Sequence, residues 1–204
     1  MTITLLHHTP LEVCSHAIRT CWQSFEKSDA GGQKDQELID RVVNKYKHAS
    51  TIEHLVYTFY IQGVSRALLQ ELARHRMASP SVKSTRYTLK ELKNTQPFEE
   101  DDYDGASEFI VLTGNSLVDT ASIKALNNLQ TILKEGVSND IAKFCLPESY
   151  KTELTWTINA RSLQNFIALR SDKSALWEIR DMAHKLYERL PQTHQYLFEK
   201  SLSS

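Results

Sequence analysis

The residues best suited to chemistry in this chain lie in one basic stretch. From Arg74 to Lys93 there are six Lys or Arg residues and a single acid, Glu91. Its first part reads Arg74-His75-Arg76-Met77-Ala78-Ser79-Pro80-Ser81-Val82-Lys83-Ser84-Thr85-Arg86. Guanidinium forks and hydroxyls grouped in this way suit bidentate recognition of a phosphate or carboxylate. The same residues also fit a basic last helical turn offsetting a helix dipole, followed by a polar turn. A second group, His48-Ala49-Ser50-Thr51-Ile52-Glu53-His54, combines two imidazoles with a carboxylate. It lacks HExxH spacing and any further ligand set, so no metal site is expected, and Ser50 with Glu53 reads equally as a capping box. The third group runs from Asn159 to Arg170. Arg161 and Asn165 lie four residues apart and share a helix face. A polar helix start beside a strand end is a place where ligands bind, and an ordinary capped helix with a salt-bridged Arg has the same sequence.

These groups need elements to hold them. Thr9-Pro10-Leu11-Glu12 has the form of a capping box with Pro at the first helical position. Leu11, Cys14, Ile18, Cys21, Trp22 and Phe25 then recur at helical spacing, which predicts a helix over 10–26. A second helix is expected over 35–48. Leu55 to Gln62 places Leu55, Tyr57, Phe59 and Ile61 on one face and reads as a strand. Ser65 is placed to cap a helix that runs into Arg74. Residues 77–96 read as loop with room for a short strand, because Pro80 and the surrounding hydroxyls disfavour a helix. The acidic run Glu99 to Asp104 reads as a solvated loop, and helical patterning resumes over 106–135 with a break near Gly114-Asn115. A short helix before Pro147, a strand over 152–159 and helices over 160–171 and 174–190 complete the order. Helices and strands are thus mixed, with no repeat or linker dividing them. The expected fold is α+β, one domain over 1–204, with a small mixed or antiparallel sheet flanked by long helices.

Composition bounds the function. The 204 residues are 41% hydrophobic and 24% charged, enough to bury a core. The formal net charge of -1 excludes a globally cationic surface for nucleic acid or anionic lipid, though not a local basic patch. No apolar stretch is long enough to span a membrane, and the first residues lack the basic and apolar regions of a signal peptide, so a cytoplasmic location is expected. The three cysteines, Cys14, Cys21 and Cys145, have no zinc or disulfide spacing and read as small buried hydrophobes. Six glycines supply neither a GxGxxG nor a GxxxxGK[ST] loop. Any phosphate must therefore be held by Arg, Lys, Ser and helix ends.

Taken in order, the three groups resemble the flavin-dependent thymidylate synthases. That family's signature is Arg-His-Arg, seven residues, Ser, and Arg two positions later, and Arg74-His75-Arg76, Ser84 and Arg86 match it. The upstream His-x-Ser/Thr-x-x-Glu-His element matches His48, Ser50, Glu53 and His54. The downstream Asn-Ala-Arg-Ser-Leu-x-Asn-Phe element matches Asn159 to Phe166, and Arg170 stands at the family's terminal Arg.

The resemblance implies synthesis of dTMP from dUMP, with methylene carbon from 5,10-methylenetetrahydrofolate and reducing equivalents from NADPH through FAD. It implies FAD contacts for His48, Ser50, Arg74, His75, Arg76, Asn159, Arg161 and Asn165. It implies dUMP contacts for Arg74, Lys83, Ser84, Thr85, Arg86, Lys143 and Arg170, with Arg170 catalytic beside the uracil ring. It implies a homotetramer with sites at subunit interfaces, small-molecule substrates, no metal, and neither nucleic acid nor membrane as partner. Some positions depart from the pattern. Ser81 and Val82 replace a frequent Asn and Glu, and Lys143 replaces an Arg, keeping the charge but losing the fork. Glu71 stands where many members have a nucleotide-binding Gln, and a carboxylate near a phosphate is repulsive, so that role is not carried over. The competing reading is a nucleic-acid-binding module built on residues 74–93, which leaves the third group unexplained.

Overall fold

The structure, a computed structural model, describes residues 1–202. Four strands, β1 (Thr2–His8), β2 (Val56–Ser65), β3 (Ala78–Val82) and β4 (Lys151–Asn159), form one sheet in the order β1-β2-β4-β3. Between β2 and β4, Thr58 meets Thr157 (Oγ1 to Oγ1, 3.0 Å) and Gln62 meets Glu153 (Nε2 to Oε2, 3.3 Å). Residue numbers rise on one strand as they fall on the other, so the pair is antiparallel. The α+β class expected from the sequence is the class observed.

The central strands follow from their sequences. In β2, Tyr57, Phe59 and Ile61 are fully buried, and in β4 Leu154, Trp156 and Ile158 are buried at every second position. The period-2 pattern breaks at Gly63, whose φ of 68° suits glycine, and β2 continues to Ser65 instead of ending at Gln62. The edge strand β3 carries Pro80, which only an edge tolerates well. β1 is a strand where the sequence analysis expects none; Ile3 is buried there while Thr2, Thr4 and Leu6 stay exposed.

Contacts fall into two compact units. The first holds residues up to Ile61, the segment Glu71–Ser81, and the chain from Thr155 onward. In it, the helix Ala160–Arg170 begins at Asn159, whose Oδ1 accepts from the Ser162 N–H at 2.9 Å. Leu163, Phe166 and Ile167 form its buried stripe, each worth about 1.5–3 kcal/mol of burial. Phe166 meets Trp156 edge-on, with ring centroids 5.1 Å apart. The expected capping box at Thr9 does not form: the helix is Leu11–Trp22, and the Thr9 hydroxyl instead bonds the Val56 backbone. The other expected box fails too, since Ser50 makes no cap on the 3-10 turn Ala49–His54. The helix expected over 35–48 is Gln33–Asp40, continuing as a π turn to Lys45.

The second unit holds Gln62–Gln70 and Val82–Leu154. Its main helix, Ser116–Lys134, starts at Asn115, whose side chain accepts from the Leu117 and Val118 N–H groups. That helix buries Ile123, Leu126, Leu129 and Leu133 against Leu89, Leu92, Ala106 and Ile110. Ser65 caps as expected, accepting from the Leu68 N–H at 3.0 Å. The cysteine expectation holds for Cys14 alone; Cys21 and Cys145 are exposed. No described helix is long and apolar enough to cross a membrane.

Candidate active site

The first unit carries a cleft of about 810 Å³. It is lined by Arg74, His75, Arg76 and Met77 after the Arg66–Leu72 helix, by Ile158 and Asn159 at the end of β4, by Arg161, Ser162, Asn165, Leu169 and Arg170 on the following helix, and by Glu53. The chain positions them simply. The Arg66–Leu72 helix ends at Leu72, and the His75 N–H bonds back to the Leu72 carbonyl at 3.0 Å, turning the Arg74–Met77 segment before β3. The Ala160–Arg170 helix begins where β4 ends, so Arg161, Asn165 and Leu169, spaced by four, stand on one face.

Four guanidinium groups against one lining carboxylate make the cleft cationic. Two are internally paired. Arg161 Nη1 donates to Glu53 Oε1 at 2.6 Å, and Arg170 Nη1 donates to Glu71 Oε2 at 2.6 Å. Arg74 and Arg76 are exposed, and among the described residues neither pairs with a carboxylate. Arg170 Nε donates to His75 Nε2 at 2.9 Å, so the His75 ring carries its proton on Nδ1. Burial, and then the neighbouring Arg170 charge, push the His75 pKa down to about 4, so the ring is neutral at pH 7. It meets the Phe166 ring in a T-shaped contact, with centroids 4.7 Å apart.

The cleft therefore offers unpaired guanidinium groups for phosphates, Asn165 for a polar ring edge, and Met77, Ile158 and Leu169 as apolar surface for a flat ring. That donor set suits an anionic aromatic dinucleotide bound without a glycine loop. No cluster of three or more His, Cys, Asp or Glu that could hold a metal occurs among the described residues.

Sequence reasoning found Arg74, His75, Arg76, Asn159, Arg161, Asn165 and Arg170, and all seven line this cleft. His48 and Ser50 are exposed on the turn around Ala49–His54 and are not among its lining residues. Lys83, Ser84, Thr85, Arg86 and Lys143 belong to the second unit. There Lys83 Nζ lies 3.4 Å from Glu91 Oε2, and Arg86 binds Asp140 through Nε (2.7 Å) and Nη2 (3.0 Å). Ser84 heads the turn Thr85–Thr88, and Lys143 Nζ lies 5.9 Å over the Phe144 ring. Glu71, as a partner of Arg170, is a site residue the sequence analysis does not identify. Its spacing was the available signal, since Glu71 precedes His75 by four residues and is the one acid beside the Arg-His-Arg group.

The fold is that of a known family. The sequence model described as "Thymidylate synthase complementing protein" matches residues 4–194, and the chain belongs to that family. A flavin-dependent thymidylate synthase from Campylobacter jejuni (strain RM1221) is 72% identical over 202 residues, covering 99% of this chain and 98% of that protein. One from Helicobacter pylori (strain ATCC 700392 / 26695) is 55% identical over 206 residues, covering 99% of each. A crystal structure of thymidylate synthase X from Helicobacter pylori with FAD and dUMP superposes with a TM-score of 0.94, at 54% identity, over 100% of both chains.

Proposed function

We propose that the chain is an FAD-dependent thymidylate synthase: it methylates dUMP reductively to dTMP, with 5,10-methylenetetrahydrofolate as carbon donor and NADPH as reductant. The observation that carries this reading is the cationic cleft, which seven residues of the family pattern line together: Arg74, His75, Arg76, Asn159, Arg161, Asn165 and Arg170. Arg74, Arg76, Arg161 and Asn165 would hold the flavin, with the unpaired Arg74 and Arg76 on its phosphates. When bound and reduced by NADPH, the flavin would supply the hydride that lets a pyrimidine be methylated without a protein thiolate. The cysteines agree with such a route: none lines the cleft, and burial pushes the Cys14 thiol up to about 12. Arg170 would act at the uracil ring, where a fixed cation favours negative charge on the base. Lys83, Ser84, Thr85, Arg86 and Lys143 would hold the sugar and phosphate, and His48 and Ser50 would border the flavin.

The reading includes a homotetramer with sites at subunit interfaces. Trp22, Leu117 and Phe144 are each more than 80% exposed, and such large apolar side chains favour burial in an assembly. A cytoplasmic location goes with this reading. Purified protein should bind FAD, be bleached by NADPH, and form dTMP from dUMP when the folate is added. Protein that takes up no FAD, or forms dTMP in its absence, overturns the reading.

A further inference from the structure

Arg170 is gripped by its own chain on three nitrogens. Nη1 donates to Glu71 Oε2 at 2.6 Å, Nη2 to the Glu71 backbone carbonyl at 3.3 Å, and Nε to His75 Nε2 at 2.9 Å. A guanidinium carries five N–H bonds, so two remain, one on each terminal nitrogen. The side chain is only 16% exposed, and it lines the cleft. One residue thus supplies two of the three anchors, one from its side chain and one from its backbone. The third, His75, is itself fixed by its packing on Phe166 and stays a neutral acceptor at pH 7. A rotamer-rich side chain is thereby held in one plane before any ligand arrives.

A carboxylate in a site for an anionic nucleotide is costly unless a cation answers it, and here Arg170 answers it. We propose that Glu71 is a positioning residue, fixing the plane of the Arg170 guanidinium so that its two unused N–H bonds serve the pyrimidine edge of a uridine nucleotide. This rests on the reading of the cleft as a thymidylate synthase site. In that role the carboxylate oxygen matters as a hydrogen-bond acceptor. Its negative charge matters less, and a Gln carbonyl oxygen can replace it.

The test compares FAD-loaded wild type with Glu71→Ala and Glu71→Gln, measuring kcat, KM for dUMP, dUMP binding by calorimetry, and melting temperature. Glu71→Ala should lose roughly 100-fold in kcat, the scale of a misplaced catalytic group, with a smaller rise in KM. Glu71→Gln should restore kcat to within about fivefold of wild type. Melting temperatures of the two variants should agree, since a structural role alone would lower both melting and activity together. Adding Glu71→Ala to Arg170→Ala should weaken dUMP binding no further than Arg170→Ala does alone. Wild-type kcat in Glu71→Ala, a Gln variant as impaired as Ala, or an additive loss in the double variant overturns the inference. Wild type that forms no dTMP overturns the functional reading instead, so the two failures are distinct.

Discussion

Glu53 and Arg161, 108 positions apart in the chain, are joined by an ion pair of 2.6 Å that ties the segment after His48 to the helix after β4. Both side chains are about half exposed. The pair therefore contributes little to folding, roughly 0–1 kcal/mol. Its meaning lies in the cleft, where Glu53 tempers one of the cations that a flavin would meet.

Arg161→Ala and Glu53→Ala should each leave the urea midpoint nearly unchanged. Their effects on FAD affinity should differ. Arg161→Ala removes a charge-assisted donor and should weaken FAD binding by about tenfold or more. Glu53→Ala leaves the cation in place and should bind FAD at least as well as wild type. Equal losses in the two variants would show that the pair, not the cation, matters.

Arg170→Ala should retain FAD while dTMP formation falls by about 100-fold or more, because on the proposed assignment the lost group acts on charge that develops in the reaction. Arg74→Ala should weaken both FAD and dUMP, since it has no carboxylate partner among the described residues and is assigned to both ligands. Flavin titration and single-turnover assays on the same preparations separate the two outcomes. Undiminished turnover in Arg170→Ala would remove the catalytic assignment.

Two histidines set an acid limit on stability. His194 is buried, its Nδ1 2.8 Å from the Tyr57 hydroxyl, and burial, then the nearby His8, lower its pKa from 6.5 to about 4. His75 is lowered over the same interval, by burial first and Arg170 second. Between those values the unfolded chain binds protons that the folded chain refuses. Stability should be full above pH 6.5 and fall as pH drops toward 4, each ring contributing at most about 1.4 kcal/mol per pH unit, and His75 less because solvent reaches it. Urea midpoints at pH 7.5, 6 and 5 should show the decline, and His194→Gln should flatten it. Midpoints constant over that range would contradict the assignment.

Arg19 and Asp35 form the opposite kind of pair. Both are buried, with Arg19 Nη2 at 2.6 Å and Nε at 3.0 Å from Asp35 Oδ1, and Ser28 and the Gly31 N–H complete the carboxylate. Burial alone would raise the Asp35 pKa; the Ser28 and Arg19 bonds outweigh it and hold the value at about 2. Asp35→Ala strands a buried guanidinium and should cost about 3–5 kcal/mol. A cost under 1 kcal/mol in chemical denaturation would mean that water reaches Arg19 after all.

The sequence made the central elements legible for a physical reason. β2 and β4 bury one face each, so their period-2 patterns carry the signal, and the Ala160–Arg170 helix announces itself by Asn159 and the Leu163–Phe166–Ile167 stripe. β1 is an edge strand with little buried surface, and its pattern is correspondingly faint. Thr9 misled because its hydroxyl has two possible backbone partners, and Val56, 47 residues away, takes it. The same limit hid Glu71. Local spacing puts it near His75, but its bond to Arg170 spans 99 positions and depends on where the helix after β4 starts.

Arg86 and Asp140 allow a last test, in the second unit. Arg86 is one of the residues proposed to hold the dUMP sugar and phosphate, yet it already makes a two-point contact with Asp140, at 2.7 and 3.0 Å, in the geometry a phosphate would use. Both side chains are more than half exposed, so breaking the pair is cheap. A phosphate must then share the fork or displace the carboxylate. Asp140→Asn removes the competing charge and should tighten dUMP binding to the FAD-loaded protein by a few-fold at low salt, with the gain shrinking at 0.5 M salt as screening grows. Arg86→Ala should weaken binding by about tenfold or more at both salt concentrations. Calorimetry on the two variants decides the matter. If Asp140→Asn weakens dUMP binding as much as Arg86→Ala does, then Asp140 holds the fork in place for the phosphate and does not compete for it.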